Sequence, residues 1–247
     1  MEKKIEAIVI DIDGCVLDTK KGAIVDSYGT LRICQQVTSG REGHSPEVFL
    51  CTGRDRNYVE AVGQFIGTPR LAVIEHGAYL FDLWTEKLIP NPIVASLEQR
   101  LSREEVLRFL AECGGWLYPG KDICFTLYPP ERMTIPDFCQ LTLKAFQAYP
   151  VEIVYSNIAV DVTPKGLNKG EGVKFLAQKA RINLSKAVGI GDSRGDFSWL
   201  SLVGQVGCPA NSSGECVEFV TKRGGYVSPL TFASGVADVI DHFVGKG

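Results

Sequence analysis

Charge of one sign is in short supply in this chain: 26 Lys and Arg against 29 Asp and Glu leave a formal net charge of -3. No polycationic face is therefore on offer for nucleic acid or for an anionic membrane. The expected partner is a small molecule. Histidine is scarce, with three in 247 residues and none beside a nucleophilic Ser or Cys motif, so His76 reads as a turn residue and not as a catalytic base. The eight cysteines are scattered without a C-x-x-C, and several, such as Cys51, sit inside apolar runs. They read as reduced, mostly buried thiols, with a cytoplasmic location as the expectation. No stretch has the basic start and apolar core of a signal peptide, and no run approaches membrane-spanning length. Asn211-Ser212-Ser213 matches a glycosylation sequon, but without a secretory signal it reads as a loop.

There is also no internal repeat, low-complexity tract or block of like charge. What the chain does have is enough apolar material, 45% of its residues, for a full core in one large domain or two modest ones. Short apolar runs at 5–10, 48–51 and 71–74 alternate with helix-period segments around 31–36 and 55–66. The rhythm resumes after residue 170, with a helix bearing Val173, Leu176, Ala177 and Ala180, a strand at 187–190, a helix near 196–202 and a strand at 205–208. That alternation predicts an α/β fold, a Rossmann-like parallel sheet flanked by helices.

The middle of the chain breaks the pattern. Ser102-Arg103-Glu104-Glu105 is a capping box, with Leu101 and Val106 spaced for a hydrophobic staple, which predicts a helix over 103–112. Strands at 123–128, 151–155 and 158–162 and a helix over 136–148 complete a small α+β unit. The expected division is a core of residues 1–83 and 164–247 carrying an inserted cap at 84–163, with loops near 85–92 and 163–167.

Each core strand ends in polar groups, and in open α/β sheets the carboxyl ends of strands form the ligand rim. Strand one delivers Asp11-Ile12-Asp13-Gly14, whose carboxylates, two residues apart, point to the same side of an extended backbone. Like charges that close require a cation or a shared proton. The next strand delivers Thr52-Gly53-Arg54 ahead of a helix, a setting that favours an anion. A later strand delivers Gly191-Asp192-Ser193-Arg194-Gly195-Asp196, and Lys169 lies in the first turn of the helix that follows the insertion.

Taken together these four segments resemble, in order, the motifs of the haloacid dehalogenase superfamily of phosphohydrolases: Asp11 to Gly14, Thr52 to Arg54, Lys169, then Gly191-Asp192 with Asp196. The insertion, between the second and third motifs, is similar to the C2B type of cap. Glu75-His76-Gly77-Ala78 and residues 163–170 are similar to segments of the trehalose-phosphate, mannosylglycerate-phosphate and sucrose-phosphate phosphatase group. Cys15 stands where Thr usually follows Asp-Gly, and Gly195 stands where many relatives have Asn.

The resemblance implies a Mg²⁺-dependent phosphomonoesterase acting on a small phosphorylated sugar or organic acid. By it, Asp11 is the nucleophile that forms an aspartyl-phosphate, and Asp13 moves the proton to the leaving alcohol and from the attacking water. Thr52, Gly53 and Lys169 would hold the phosphoryl group, a task mostly of positioning and charge stabilisation. Asp11, Asp192 and the backbone carbonyl of Asp13 would hold Mg²⁺. Asp196 would orient the metal's waters or Lys169 from behind. Lys121 and Asp161 fall where sugar-phosphate phosphatases place hydroxyl-binding residues, and Arg54 either lines the pocket or forms a surface ion pair.

Bland readings exist for each residue: Thr52 as a helix cap, Lys169 as a solvated lysine, Cys15 and Cys51 as packing. Other functions meet the same residues. Gly189-x-Gly191 followed by Gly195 is one residue too long for a dinucleotide fingerprint, and no acidic residue ends the strand at Cys208. A phosphosugar mutase would share the aspartyl-phosphate step, although C2B mutases usually lack Thr-Gly-Arg. A non-catalytic binding or regulatory protein would be free to lose Asp11.

Overall fold

A computed structural model describes residues 4–20, 23–97, 100–155 and 158–245. Its core is an eight-stranded sheet in the order β12-β11-β10-β1-β2-β3-β4-β5. The parallel part comprises β1 (Ala7–Ile10), β2 (Glu47–Cys51), β3 (Leu71–Ile74), β10 (Ala187–Ile190), β11 (Gln205–Cys208) and β12 (Tyr226–Val227). β1 is buried at every residue, as its unbroken apolar run demands of a strand covered on both faces. One face packs on α1 (Ser27–Arg41), α2 (Arg56–Phe65) and α9 (Phe232–Val244), through Ile8, Ile10, Ile33, Val59, Val236 and Ile240. The other packs on α6 (Lys169–Ala180), α7 (Phe197–Leu200) and α8 (Gly214–Lys222), through Val9, Phe49, Leu176, Trp199 and Val220.

The boundary at residue 84 is corrected. β4 (Tyr79–Asp82) and β5 (Lys87–Pro90) form an antiparallel hairpin that extends the large sheet from β3, so residues 87–90 belong to the core, where the sequence suggested a loop. The turn is closed by the Asp82 carboxylate, which accepts the N–H groups of Trp84 and Thr85. Glu86 takes the left-handed position at φ 57°, so neither Gly nor Asn announces this turn.

The insertion contains α3 (Pro92–Ala95), α4 (Arg103–Cys113), β6 (Trp116–Leu117), β7 (Phe125–Tyr128), α5 (Ile135–Ala145), β8 (Val151–Tyr155) and β9 (Val160–Pro164). Its strands form a separate antiparallel sheet, β6-β7-β9-β8. It has its own core of Val106, Phe109, Leu110, Phe125, Leu127, Phe138 and Val160. The capping box at Ser102 and Glu105 is formed, and α4 ends on Gly114 in the left-handed conformation, the stop that glycine permits most cheaply. The helix expected near 196–202 is a short 3-10 turn, Arg194–Asp196, followed by α7. Among the described residues, no helix is long and apolar enough to cross a membrane.

Candidate active site

The carboxyl ends of β1, β2, β3 and β10 converge below the cap, because these strands pair side by side in parallel. Asp11 follows β1 and is 3% exposed. Gly14, at φ 80°, completes the turn, and a Cβ there would lie 2.2 Å from Asp192 Oδ2. Only glycine allows the two loops to approach this closely. Asn211, in the loop holding the apparent sequon, donates its amide to the Gly14 carbonyl at 2.8 Å and so braces the same turn.

Lys169 is the pivot. Its Nζ sits 3.0 Å from Asp11 Oδ1 and 2.7 Å from Asp196 Oδ1. Asp196, fully buried, also accepts the Trp199 indole N–H on Oδ1 and the N–H groups of Asp192 and Ser193 on Oδ2. Its oxygens are thus committed within the protein.

The charges do not balance. Burial, then the neighbouring Asp196 charge, push the Asp11 carboxyl well above its usual range, with Lys169 only partly opposing them. Burial and Asp196 likewise push Asp192 up to about 6. Burial works against charge on Lys169 and Asp196 too, but Asp11 and Asp196 hold the ammonium firmly protonated, and Lys169 holds Asp196 below the usual carboxylate range.

Oxygens of Asp11, Asp192 and Asp196 lie within 4.8 Å of one another. With a single ammonium among three carboxylates and Asp196 already committed, Asp11 and Asp192 remain as hard oxygen donors, a set that suits Mg²⁺. In the metal-free protein this imbalance should show in the pH dependence of stability. A carboxyl with a raised folded value contributes stability at low pH that is lost as pH rises through that value. Asp192 should therefore make the protein more stable at pH 5 than at pH 7 by about 1 kcal/mol. Saturating Mg²⁺ should flatten that difference, as measured by denaturant unfolding at both pH values.

Asp13 faces a different partner. Arg54 grips it with both arms, Nε to Oδ2 at 2.9 Å and Nη2 to Oδ1 at 2.9 Å, while the Tyr58 hydroxyl reaches Oδ1 at 3.4 Å. The guanidinium lies over the Tyr58 and Tyr118 rings. Burial, then the Asp13 charge, push the Tyr58 hydroxyl up to about 12. Of the two readings left open for Arg54, the structure places it in the cleft wall. Thr52 is fully buried, and its hydroxyl accepts the Arg54 N–H at 3.1 Å. It does not cap α2, whose N-cap is Asp55. Gly53 lies against the His76 ring, 2.5 Å from where a Cβ would stand.

Core and cap together enclose a cleft of about 740 Å³, lined by Asp11, Asp13, Arg54, Lys169 and Asp192 below and by Tyr118, Lys121, Tyr128 and Asp161 above. Lys121, 5% exposed, donates to Thr126 Oγ1 at 2.7 Å and stands 3.9 Å from Asp161. Thr126 in turn donates to Asp161 at 2.5 Å. Thr126 and Asp161 are cross-strand partners on β7 and β9, a pairing that only the register reveals. His76 occupies a turn, as expected, at φ 55°, and it also lines the cleft. Burial and the nearby Lys121 push it down to about 4, so it is neutral at pH 7. Tyr58, Tyr118, Thr126 and Tyr128 carried no motif by which the sequence could single them out. Cys15 and Cys51 are fully buried, as packing residues are.

Residues 134–240 match the family described as haloacid dehalogenase-like hydrolase. The chain is 25% identical over 241 residues to a phosphoglycolate phosphatase of Methanothermobacter thermautotrophicus, covering 97% of this chain and 99% of that one. Its fold matches a haloacid dehalogenase-like hydrolase of Bacteroides thetaiotaomicron at TM-score 0.74 and 14% identity, covering 97% of this chain and 99% of that one. It also matches the sucrose-phosphatase of Synechocystis, solved with sucrose and phosphate, at TM-score 0.71 and 17% identity, covering 97% and 98%. The likeness runs nearly the whole length of the chain and the fold agrees with it, so the chain is similar throughout to haloacid dehalogenase-like hydrolases and to proteins named as phosphatases.

Proposed function

We propose that this enzyme is a Mg²⁺-dependent phosphatase that works through an aspartyl-phosphate on Asp11, with a small phosphorylated organic acid as substrate. The observation that carries the mechanism is the split between the two aspartates: Asp11 is buried against Lys169, whereas Asp13 is held by Arg54 and Tyr58 at the edge of the cleft.

Asp11 attacks phosphorus, and the bond to the leaving alcohol breaks as Asp13 supplies its proton. Asp13 then takes a proton from the water that attacks the acyl phosphate, which returns Asp11 and releases inorganic phosphate. Donation from Asp13 requires an oxygen freed from the Arg54 pair, so Arg54 changes partners during the cycle. Lys169 keeps Asp11 oriented, and its charge favours the ionised form without outweighing burial and the neighbouring carboxylates. Asp11, Asp192 and the Asp13 carbonyl would hold Mg²⁺, which would supply positive charge to the phosphoryl oxygens. Thr52 braces the loop through the Arg54 N–H, leaving Gly53 and the backbone around it to approach the phosphoryl group. The cap overhead excludes water.

An acid as substrate is supported by Arg54 and Lys121 among the cations that line the cleft, and by the near full-length likeness to proteins named phosphoglycolate phosphatase. Lys121 spends an N–H on Thr126, leaving donors for a carboxylate. Asp161 is better matched to Lys121 and Thr126 than to a sugar hydroxyl. Phosphate release from 2-phosphoglycolate, glucose 6-phosphate and p-nitrophenyl phosphate tests this, with and without Mg²⁺. The expected order puts phosphoglycolate first, with release abolished by EDTA and restored by Mg²⁺. Undiminished turnover in EDTA overturns the metal requirement, and preference for the sugar phosphate overturns the substrate class.

A further inference from the structure

Glu75 lies just past β3, in the core, yet its carboxylate is spent on the cap. It is 2% exposed and accepts the backbone N–H groups of Asp122 at 3.0 Å, Ile123 at 2.9 Å and Cys124 at 3.2 Å. Its own backbone N–H donates to the Arg54 carbonyl at 2.9 Å, and its carbonyl accepts the Cys124 thiol at 3.2 Å. Glu75 and His76 both hold positive φ, 45° and 55°, conformations that cost non-glycine residues energy and persist only where the surroundings enforce them. Beneath this junction Ala78, Val94, Cys124 and Leu167 form a small buried cluster that joins core to cap.

The three amides that Glu75 collects directly follow Lys121, whose ammonium enters the cleft. We propose that Glu75 is a positioning residue that fixes Lys121 over the reaction centre, so that substrate selection by the cap is set from the core. This inference rests on the reading of Lys121 as the group that meets the substrate's carboxylate. A carboxylate accepting several backbone N–H groups makes charge-assisted bonds, stronger than neutral ones. Through its N–H bond to Arg54, the same residue ties the cap loop to the loop that holds Asp13. One end of the cap is thereby anchored, while Val154, Tyr155 and Asp161 of β8 and β9 line the same cleft.

Amide hydrogen exchange read residue by residue tests the tether without reference to turnover. In the wild-type protein the amides of Asp122, Ile123 and Cys124 should exchange at least about tenfold more slowly than in an unstructured peptide, and Glu75→Gln should speed them about tenfold. Glu75→Asp keeps the charge but loses reach, and should act alike if Glu75→Gln does not fold. In the same variants the kcat/KM ratio for phosphoglycolate over p-nitrophenyl phosphate should fall about tenfold, mainly through KM. Lys121→Met should shift that ratio equally, and the double variant should shift it no further. Unprotected amides in the wild-type protein, or an unchanged ratio with unchanged exchange in Glu75→Gln, would overturn the tether. A wild-type enzyme that hydrolyses neither compound refutes the phosphatase reading, while the exchange data still decide the tether.

Discussion

Asp11→Asn should lower phosphate release by at least about 10⁴-fold while leaving the protein as stable as the wild type, or more so. Loss of the attacking oxygen removes the covalent step, and removal of a nucleophile is among the costliest single changes an enzyme can suffer. The stability half of the result comes from electrostatics. Asp11 is buried beside Asp196, Asp13 and Asp192, and its carboxyl is pushed well above the usual range by burial first and by those charges next. Asn keeps the shape and relieves the repulsion. Its amide can still accept the Ile12 N–H that Asp11 accepts at 2.8 Å. The measurement is phosphate release under saturating Mg²⁺ together with thermal unfolding of the metal-free protein. Activity within tenfold of the wild type would remove Asp11 from the nucleophile's role, and a large fall in melting temperature would mean that the charge cluster is not strained as described.

Lys169→Met should act in the opposite direction on stability. The ammonium is the shared partner of Asp11 and Asp196, both nearly or fully buried. Breaking a buried pair by removing one partner leaves an uncompensated charge, at a cost of about 3–5 kcal/mol. For a chain of this size that corresponds to a fall in melting temperature of roughly 10 °C. Mg²⁺ should restore part of the loss, because a cation among Asp11 and Asp192 relieves the same repulsion. Turnover should fall as well, since Asp11 loses the group that orients it. Thermal unfolding with and without Mg²⁺ reads both effects. A fall of less than about 2 °C would show that the carboxylates shed their charge instead of missing their partner.

The two variants together separate chemistry from folding within one cluster. Asp11→Asn removes a surplus negative charge and Lys169→Met removes a scarce positive one, so a shared loss of activity would come with opposite shifts in stability. No account in which either residue merely supports the fold produces that pattern.

Much of this arrangement is legible in the chain. Asp11, Lys169 and Asp192 could be placed on one rim because each follows or opens an apolar element of the parallel sheet, and the ends of such strands share one side by construction. The cap's separateness was visible from the break in alternation, and the Ser102 to Glu105 capping box marked α4. The β4–β5 hairpin escaped because its turn is closed by an Asp82 side chain and a left-handed Glu86, with no Gly or Asn to mark it. β12, α8 and α9 carry no motif and no rim residue, so no chemistry in the chain marks them.

Local periodicity and strand-end polarity are properties of neighbouring residues, so the sequence alone determined the α/β core, its inserted cap and the rim of carboxylates. Partner choice is not local. That Arg54 holds Asp13, that Glu75 holds the amides after Lys121, and that Thr126 stands between Lys121 and Asp161 depends on strand register and on how the cap seats on the core. Several buried polar groups compete for few partners, and only the assembled fold sets the distances that decide which pairs form.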